Sequence, residues 1–517
     1  MAVTMVPTAT ESRRTTAGRL PGTLALLAML GAPQAQGGWE LHPYLGLELA
    51  HTDNVYLGEE STAESSWVSV LNPGLRFSAR GSRGEAAGYL ALERLDYSAA
   101  SGLGTDYQQG RLNGTVELWR ERLTLEAGAG LTQRVIDPTR GVPQDNINVG
   151  NRTDAREWTL SPRLTLPLGR VGDFSGTWSH RAVSYGEGLA DAVTRSWNLG
   201  LNNERSRARL GWVLGYGRQE TVRDGVDDLV RESATAELSW LYNRRFSLLL
   251  EGGYRDPNLG VAATSAAQIR SGGYWGLGGV WLPRRDLRLK AVAGDSYESA
   301  ALDWGAGART RLSLAWRNRD VGTNPGSVWT ADLAWSGRHS RLGLGYFEDT
   351  VSYQELSVEQ LCLDPGTGEV RPCTGAVGEI PLLDGFVLTD EVFVRRRGSF
   401  SWSLSGRRNT VAVSYIHERR RLLESGERDL VWTGTASWTL QASARSAVTA
   451  AITRRSGAAS GTGTREEELE TASIGLRHEL SPDLAADALV RRTRFDSPGL
   501  GRSYTENRVQ LGLRATF

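Results

Sequence analysis

The chain reads as an all-β protein, a single transmembrane up-and-down antiparallel β-barrel, and three observations lead there. Apolar and polar side chains alternate with period two along most of the sequence, and connections between the alternating segments are short and long by turns. The third is the carboxy terminus, where Val509, Leu511, Leu513 and Phe517 alternate with Arg508, Gln510, Gly512 and Arg514. A strand with one face for lipid and one for water, ending on an aromatic residue, is the closing strand and insertion signal of an outer-membrane barrel. It implies outer-membrane lipid and a barrel-assembly machinery as partners.

Bulk composition agrees. A soluble chain of 517 residues would usually divide into several domains, yet no linker or charge block divides this one. A hydrophobic content of 40% and a mean hydropathy of -0.35 are too low for helices of about 20 nearly uninterrupted apolar residues. A barrel needs only every second residue apolar. Basic and acidic residues balance at 59 each, so bulk charge gives no argument for nucleic acid as partner.

At the amino terminus Arg13, Arg14 and Arg19 precede the apolar stretch 24–30, and Gly31, Ala32, Ala35 and Gly37 follow as small residues near a cleavage point. Residues 1–37 are therefore expected to be a signal peptide and 38–517 the barrel. A strand beginning almost at the cleavage point leaves no residues for an amino-terminal plug, which argues against a TonB-dependent receptor.

The first strand sets Trp39, Leu41, Leu45, Leu47 and Leu49 against Glu40, His42, Tyr44, Gly46 and Glu48. The pattern recurs with Leu123, Leu125, Ala127, Ala129 and Leu131 against Thr124, Glu126, Gly128, Gly130 and Thr132. It returns around Trp158 to Leu168, where Arg163 is on the polar face. It appears again around Leu210 to Tyr216, where Arg209 is polar, and around Leu430 to Leu440. An arginine facing lipid at mid-plane costs about 2 to 4 kcal/mol, so the polar faces look into a wet interior. Glu126, Arg163, Arg209 and Arg514 are expected to face that lumen.

Short connections fall near residues 81–84, 120–121, 169–172, 204–206, 243–245, 283–285, 307–309, 337–340, 406–408, 441–444 and 481–483. Longer, more polar stretches include 51–65, 135–153, 255–269, 354–386 and 455–467. Short periplasmic turns and longer extracellular loops are the signature of an outer-membrane barrel. The count is about 24 strands, with 22 to 26 open. Reaching an even number requires a tight bend on each side of the segment around Trp304.

Trp119, Trp240, Trp281, Trp304, Trp335, Trp402 and Trp438 each come a few residues before a short turn, where an indole reaches the headgroup layer. They are expected to form an aromatic girdle. Cys362 and Cys373 lie close together in a Gly/Pro-rich stretch away from any strand pattern. In an exported chain such a pair predicts a loop disulfide, since two thiols cannot complete a zinc shell.

The sequence holds no nucleophile elbow, phosphate-binding glycine loop, paired-His zinc spacing or EF-hand spacing. The histidines, His42, His51, His180, His339, His417 and His478, are scattered, so no enzyme activity, cofactor or metal is expected. Asp53 and Asn54 at the top of the first strand suit an oxygen-rich cation site or, more simply, an Asx turn. Asp384, Asp390 and Glu391 read as a solvated acidic loop, with a binding surface as the alternative.

The runs Leu41-His42-Pro43-Tyr44-Leu45-Gly46-Leu47, Thr52-Asp53-Asn54-Val55, Leu71-Asn72-Pro73-Gly74-Leu75, Leu95-Asp96-Tyr97 and Trp281-Leu282-Pro283-Arg284-Arg285 resemble an outer-membrane β-barrel family associated with the PEP-CTERM/exosortase system. The resemblance extends in layout over most of the chain and is most specific around Asp53-Asn54. It implies an envelope role near exopolysaccharide export or assembly, or protein sorting, with exopolysaccharide or its export apparatus as partner and no catalytic residues. The chain departs from the sorted proteins of that system in having no Pro-Glu-Pro sorting signal. The expectation is a passive conduit or anchor in the bacterial outer membrane. The alternatives are a general solute porin and, further off, a surface enzyme or adhesin using the loop 354–386.

Overall fold

Twenty-four antiparallel strands form one closed ring, from Gly38–Thr52 to Arg502–Thr516, each bonded to the next in sequence and the last to the first. The computed structural model describes residues 38–99, 105–137, 145–148, 150–169, 171–203, 209–260, 269–356, 361–364, 367, 370–372, 380–382, 386, 388–460, 465–498 and 501–517. Residues 1–37, expected to be a signal peptide, lie outside them.

Ring closure follows from the alternation read at the two ends. Leu47 and Leu49 stand opposite Leu513 and Leu511, and all four face outward, exposed to the surroundings of the barrel. Gly46, on the other face, stands opposite Arg514. The amide of Phe517 donates to the carbonyl of Pro43 at 2.8 Å, stitching the last residue to the first strand.

The expected short turns fall between paired strands, apart from 204–206, which lies outside the described residues. The bend needed near Trp304 is also present. Leu287–Asp295 and Tyr297–Trp304 form a hairpin that reverses at Ser296, which adopts a left-handed φ of 55°. Gly278 lies inside the neighbouring strand because a Cβ there would come within 2.0 Å of the Ala291 carbonyl oxygen.

Three loop expectations need correction. The stretch 455–467 is mostly strand: Ser446–Ser460 and Arg465–Ser481 run through it, with Arg455 opposite Leu469 and Gly457 opposite Glu467. Its Gly, Ser, Ala and Thr content resembles a loop, but ladder pairing to both neighbours overrides that local preference. Strand Phe246–Asn258 likewise continues past Arg255. Within the longest loop, Leu361–Leu363, Val370–Pro372 and Ile380–Pro381 form a separate three-stranded sheet, so Cys362 sits on a short strand.

The strands run from 8 to 18 residues, whereas about 9 to 11 tilted residues cross a bilayer. Most therefore project beyond the membrane, and with short turns on the inner side the surplus is at the outer mouth. There the inward faces change character. Val68, Val70, Leu95, Tyr97, Phe393, Leu422, Leu469 and Phe495 are apolar and buried, unlike the polar inner faces nearer the turns. The cause is the loops, which fold inward and exclude water from this end.

Candidate functional site in the loop-filled mouth

Residues 145–148, from the loop after strand Leu123–Val135, pack on the inner wall beside the ring seam. Ile147 joins Ala50, Val55, Val68, Val70, Leu95 and Tyr97 in one apolar cluster. Beside it the half-buried Asp145 accepts from Nη1 of Arg508 at 2.6 and 2.8 Å and from Nη1 of Arg491 at 2.8 Å. Arg508 is fully buried and also donates to Glu506, at 3.0 Å from Nε, and to Asn148 at 2.6 Å. Asn148 donates in turn to Glu506 at 3.0 Å, as does Thr52 at 2.7 Å. Two guanidiniums and two carboxylates thus balance in a water-poor corner, the condition under which a buried ion pair is tolerable. Burial alone would raise the Asp145 carboxyl, but Arg508 and Arg491 override it and hold it well below the usual carboxylate range.

The second inward segment lies in residues 352–392, between strands Ser340–Val351 and Phe393–Ser405. Ser352 and Glu355 form a capping box around the 3-10 turn Tyr353–Glu355. Glu355, whose side chain is 4% exposed, accepts from Arg231 Nη2 at 3.0 Å, Gln219 at 2.7 Å and Thr221 at 3.3 Å. Arg181 donates to the Glu355 carbonyl at 2.7 Å and pairs with Glu157 at 2.8 Å. Arg181 belongs to the seventh strand of the ring and Phe393 to the eighteenth, so the segment reaches nearly to the opposite wall.

Apolar contacts complete this strap. Tyr353, Phe386, Phe393, Leu422 and Val431 cluster with Leu189 from the loop after the seventh strand, and Arg420 lies over the Phe386 ring at 3.6 Å. The two inward loops also touch, the amide of Leu388 donating to the Ile136 carbonyl at 3.2 Å. A continuous bridge of contacts therefore runs over the mouth from the seam to the far wall.

Asp390, expected to be solvated, is a crosspiece of this bridge, while Glu391 bonds at the exposed surface. Asp390 accepts from the Ala190 amide at 3.0 Å and from Gln354, and its carbonyl accepts from Arg223. Glu391 accepts from the amide and hydroxyl of Ser425 at 3.0 and 3.1 Å. Nearest-neighbour polarity in sequence hid the partners, which come from other loops and strands. Asp384 lies outside the described residues.

Asp53 uses both carboxylate oxygens on the backbone and side chain of Asn507, each at 2.7 Å. Asn54 closes its own turn through Gly58, accepting at 2.8 Å and donating at 2.7 Å. The pair acts as a fastener of the first loop on the last strand: Asp53 bonds across to Asn507, and Asn54 closes a wider loop than an Asx turn, whose carboxamide or carboxylate takes the amide two residues on.

Of the residues expected in the lumen, Glu126 and Arg163 face each other at 3.8 Å, and Arg514 lies 5.1 Å from the Tyr44 ring centroid. Arg209 is exposed immediately before the strand Leu210–Arg223. Val509, Leu511 and Leu513 point outward and Phe517 is exposed.

Trp119, Trp240, Trp281, Trp304, Trp335 and Trp438 are exposed near the turns, and the half-buried Trp402 donates to Ser340 at 3.0 Å. Trp67, Trp275 and Trp329 are exposed near the opposite ends of their strands, a second belt visible in the sequence as tryptophans just after long loops. Cys362 is disulfide-bonded, and Cys373 lies outside the described residues. The histidines stay apart, His51 beside Trp67 and His180 beside Trp158.

The ring, its apolar outer surface and its filled mouth define the class: an outer-membrane β-barrel of 24 strands. No family model matches the chain, and no curated protein does. Among solved structures it is similar to the siderophore receptor PirA from Pseudomonas aeruginosa, with 9% identity and a TM-score of 0.41 over 94% of this chain and 81% of that one. It is also similar to the ferric enterobactin receptor PfeA of the same organism, with 12% identity and a TM-score of 0.44 over 94% and 81%. The FrpB iron transporter from Neisseria meningitidis gives 10% identity and a TM-score of 0.43 over 92% and 82%. Likeness at this level transfers no function.

Proposed function

We propose that the protein is a non-enzymatic conduit or anchor of the outer membrane serving exopolysaccharide export or assembly, or the sorting of exported protein, in a PEP-CTERM-type system. The observation that carries this over a general porin is the strap across the mouth. A solute porin works with a standing water path, whereas here Glu355 is held by Arg231, Gln219 and Thr221 on the far wall. Such a closure suits a barrel that opens only when a polymer or partner engages it, with the polar inner wall below offering weak, repeated contacts to a hydrated chain. Scattered histidines, and the engagement of Asp53 with Asn507 and of Asn54 with Gly58, favour a passive part over an enzymatic one.

Planar-bilayer recording tests the closure. The wild-type protein is expected to stay silent or nearly so, while Glu355→Gln, which weakens the strap, gives steps of large conductance. A large, steady wild-type conductance blocked by small sugars would replace this reading with the porin. Deleting the gene is expected to remove surface polysaccharide, and unchanged polysaccharide together with unchanged protein sorting would count decisively against the envelope role.

A further inference from the structure

The lumen wall carries three arginines that the loop latches do not use: Arg255 on strand Phe246–Asn258, and Arg317 and Arg319 on strand Thr310–Arg319. The short hairpin turning at Ser296 stands between them, and above it the Gly322 amide donates to the Arg270 carbonyl at 2.7 Å. That bridge draws the flanking strands together over the hairpin. Gly322 has a φ of 108°, and a Cβ there would lie 2.8 Å from Nη2 of Arg319 and 3.7 Å from Cγ of Arg255, so the two arginines meet beneath it. Arg319 is 5% exposed, stacks 5.2 Å from the Tyr274 ring centroid and donates from Nε to the Val321 carbonyl at 2.7 Å.

None of the three makes an ion pair among the described residues, and the carboxylates around them are already engaged. Glu251 pairs with Lys290, the one lysine of the chain, and accepts from Tyr297 at 3.0 Å. Glu237 holds the same lysine at 3.2 Å. Glu348 binds Arg396 and Asn324, each at 3.1 Å, and Asp256 accepts from Ser271 at 2.6 Å. Residues 261–268 of the connecting loop include no acidic side chain. The Nε atoms of Arg255 and Arg317 are buried with no hydrogen-bond partner.

A guanidinium does not shed its proton at any physiological pH, so this cluster cannot relieve itself by neutralising. Its donors match the flat, forked oxygens of a carboxylate or phosphate. We propose that Arg255, Arg317 and Arg319 form an oxyanion subsite in the lumen wall, which takes the carboxylate or phosphate groups of an acidic saccharide. The saccharide part rests on the polymer reading above; the oxyanion part does not.

Titration calorimetry on the full chain in detergent tests it, with inorganic phosphate, trigalacturonate and the neutral maltotriose as probes. Both anions are expected to bind and maltotriose not to. In Arg317→Gln/Arg319→Gln, and separately in Arg255→Gln, anion affinity falls by about tenfold or more, the loss of at least one charge-assisted bond. Arg288→Gln, which removes an exposed lumen arginine 3.6 Å from Asp303, leaves it unchanged. Heat-modifiable gel migration reports that each variant is folded. Absence of phosphate binding by the wild type, or equal binding by the folded variants, overturns the subsite, and phosphate binding without trigalacturonate binding overturns its saccharide assignment. Anion binding by the wild type together with normal surface polysaccharide in the deletion strain sinks the polymer reading and leaves the oxyanion subsite standing.

Discussion

The outer mouth and the wetter part of the lumen use the same side chains for different ends. At the mouth, Arg508 and Glu506 are 0% and 1% exposed, and Arg455 and Glu467 are both 1% exposed at 3.2 Å. In the wetter part, Arg163 and Glu126 are 57% and 46% exposed and 3.8 Å apart, and Arg288 and Asp303 are similar. Loops that exclude water turn an arginine and a carboxylate into a latch. Where water fills the cylinder, the pair adds little to stability and leaves a polar lining. Residue identity thus does not say which arginines hold the protein shut; enclosure does.

Breaking the comparison at its strongest point should give the largest effect. Arg508→Met takes from Asp145 and Glu506 the cation they share, leaving Asp145 with Arg491 and Glu506 with the neutral donors Thr52 and Asn148, and is expected to cost about 3 to 5 kcal/mol in equilibrium denaturant unfolding. Glu355→Gln should cost about 2 kcal/mol by the loss of a charged acceptor and, more tellingly, raise chymotrypsin cleavage after Tyr353 and Phe386 in the strap and open the conductance described above.

Acid offers a milder probe of the seam. The folded Asp145 carboxyl sits below its unfolded value, so its contribution is full above the ordinary aspartate range, near pH 4, and is lost only as pH falls further. Hydrogen-exchange protection of residues 145–148 should therefore persist at pH 5 and fade below pH 4; fading already near pH 6 would contradict the Arg508 and Arg491 contacts.

Smaller effects belong to the exposed pairs and the girdle. Trp281→Ala, at an exposed outward position, should lower stability in lipid by about 1 kcal/mol and less in detergent. Glu126→Gln is expected to change it by less than about 1 kcal/mol. A loss as large as that of Arg508→Met would mean that this part of the lumen is also closed to water.

Much of the fold was legible in order along the chain. Leu47, Leu49, Leu511 and Leu513 announce an outward face because successive side chains on a strand point to opposite sides, a rule needing no tertiary information. Glu126 and Arg163 could be placed in the lumen on the same ground. The stretch 455–467 is mostly strand although its small residues carry little strand preference of their own, because neighbouring strands supply the pairing. Asp390 engages the strap and not solvent because its partners, Gln354 and Ala190, are far from it along the chain, a contact no local pattern signals.

Local periodicity, then, determined the ring, the approximate strand number, the turns and the face on which most side chains stand, because each depends on residues one or two apart. Only the tertiary structure decided which charges are latches, since Asp145 lies 363 positions from Arg508 and Glu355 lies 124 from Arg231. Contacts at such separation arise when closure of the ring brings distant strands and inward loops into one small, water-poor volume. No period along the chain encodes that meeting.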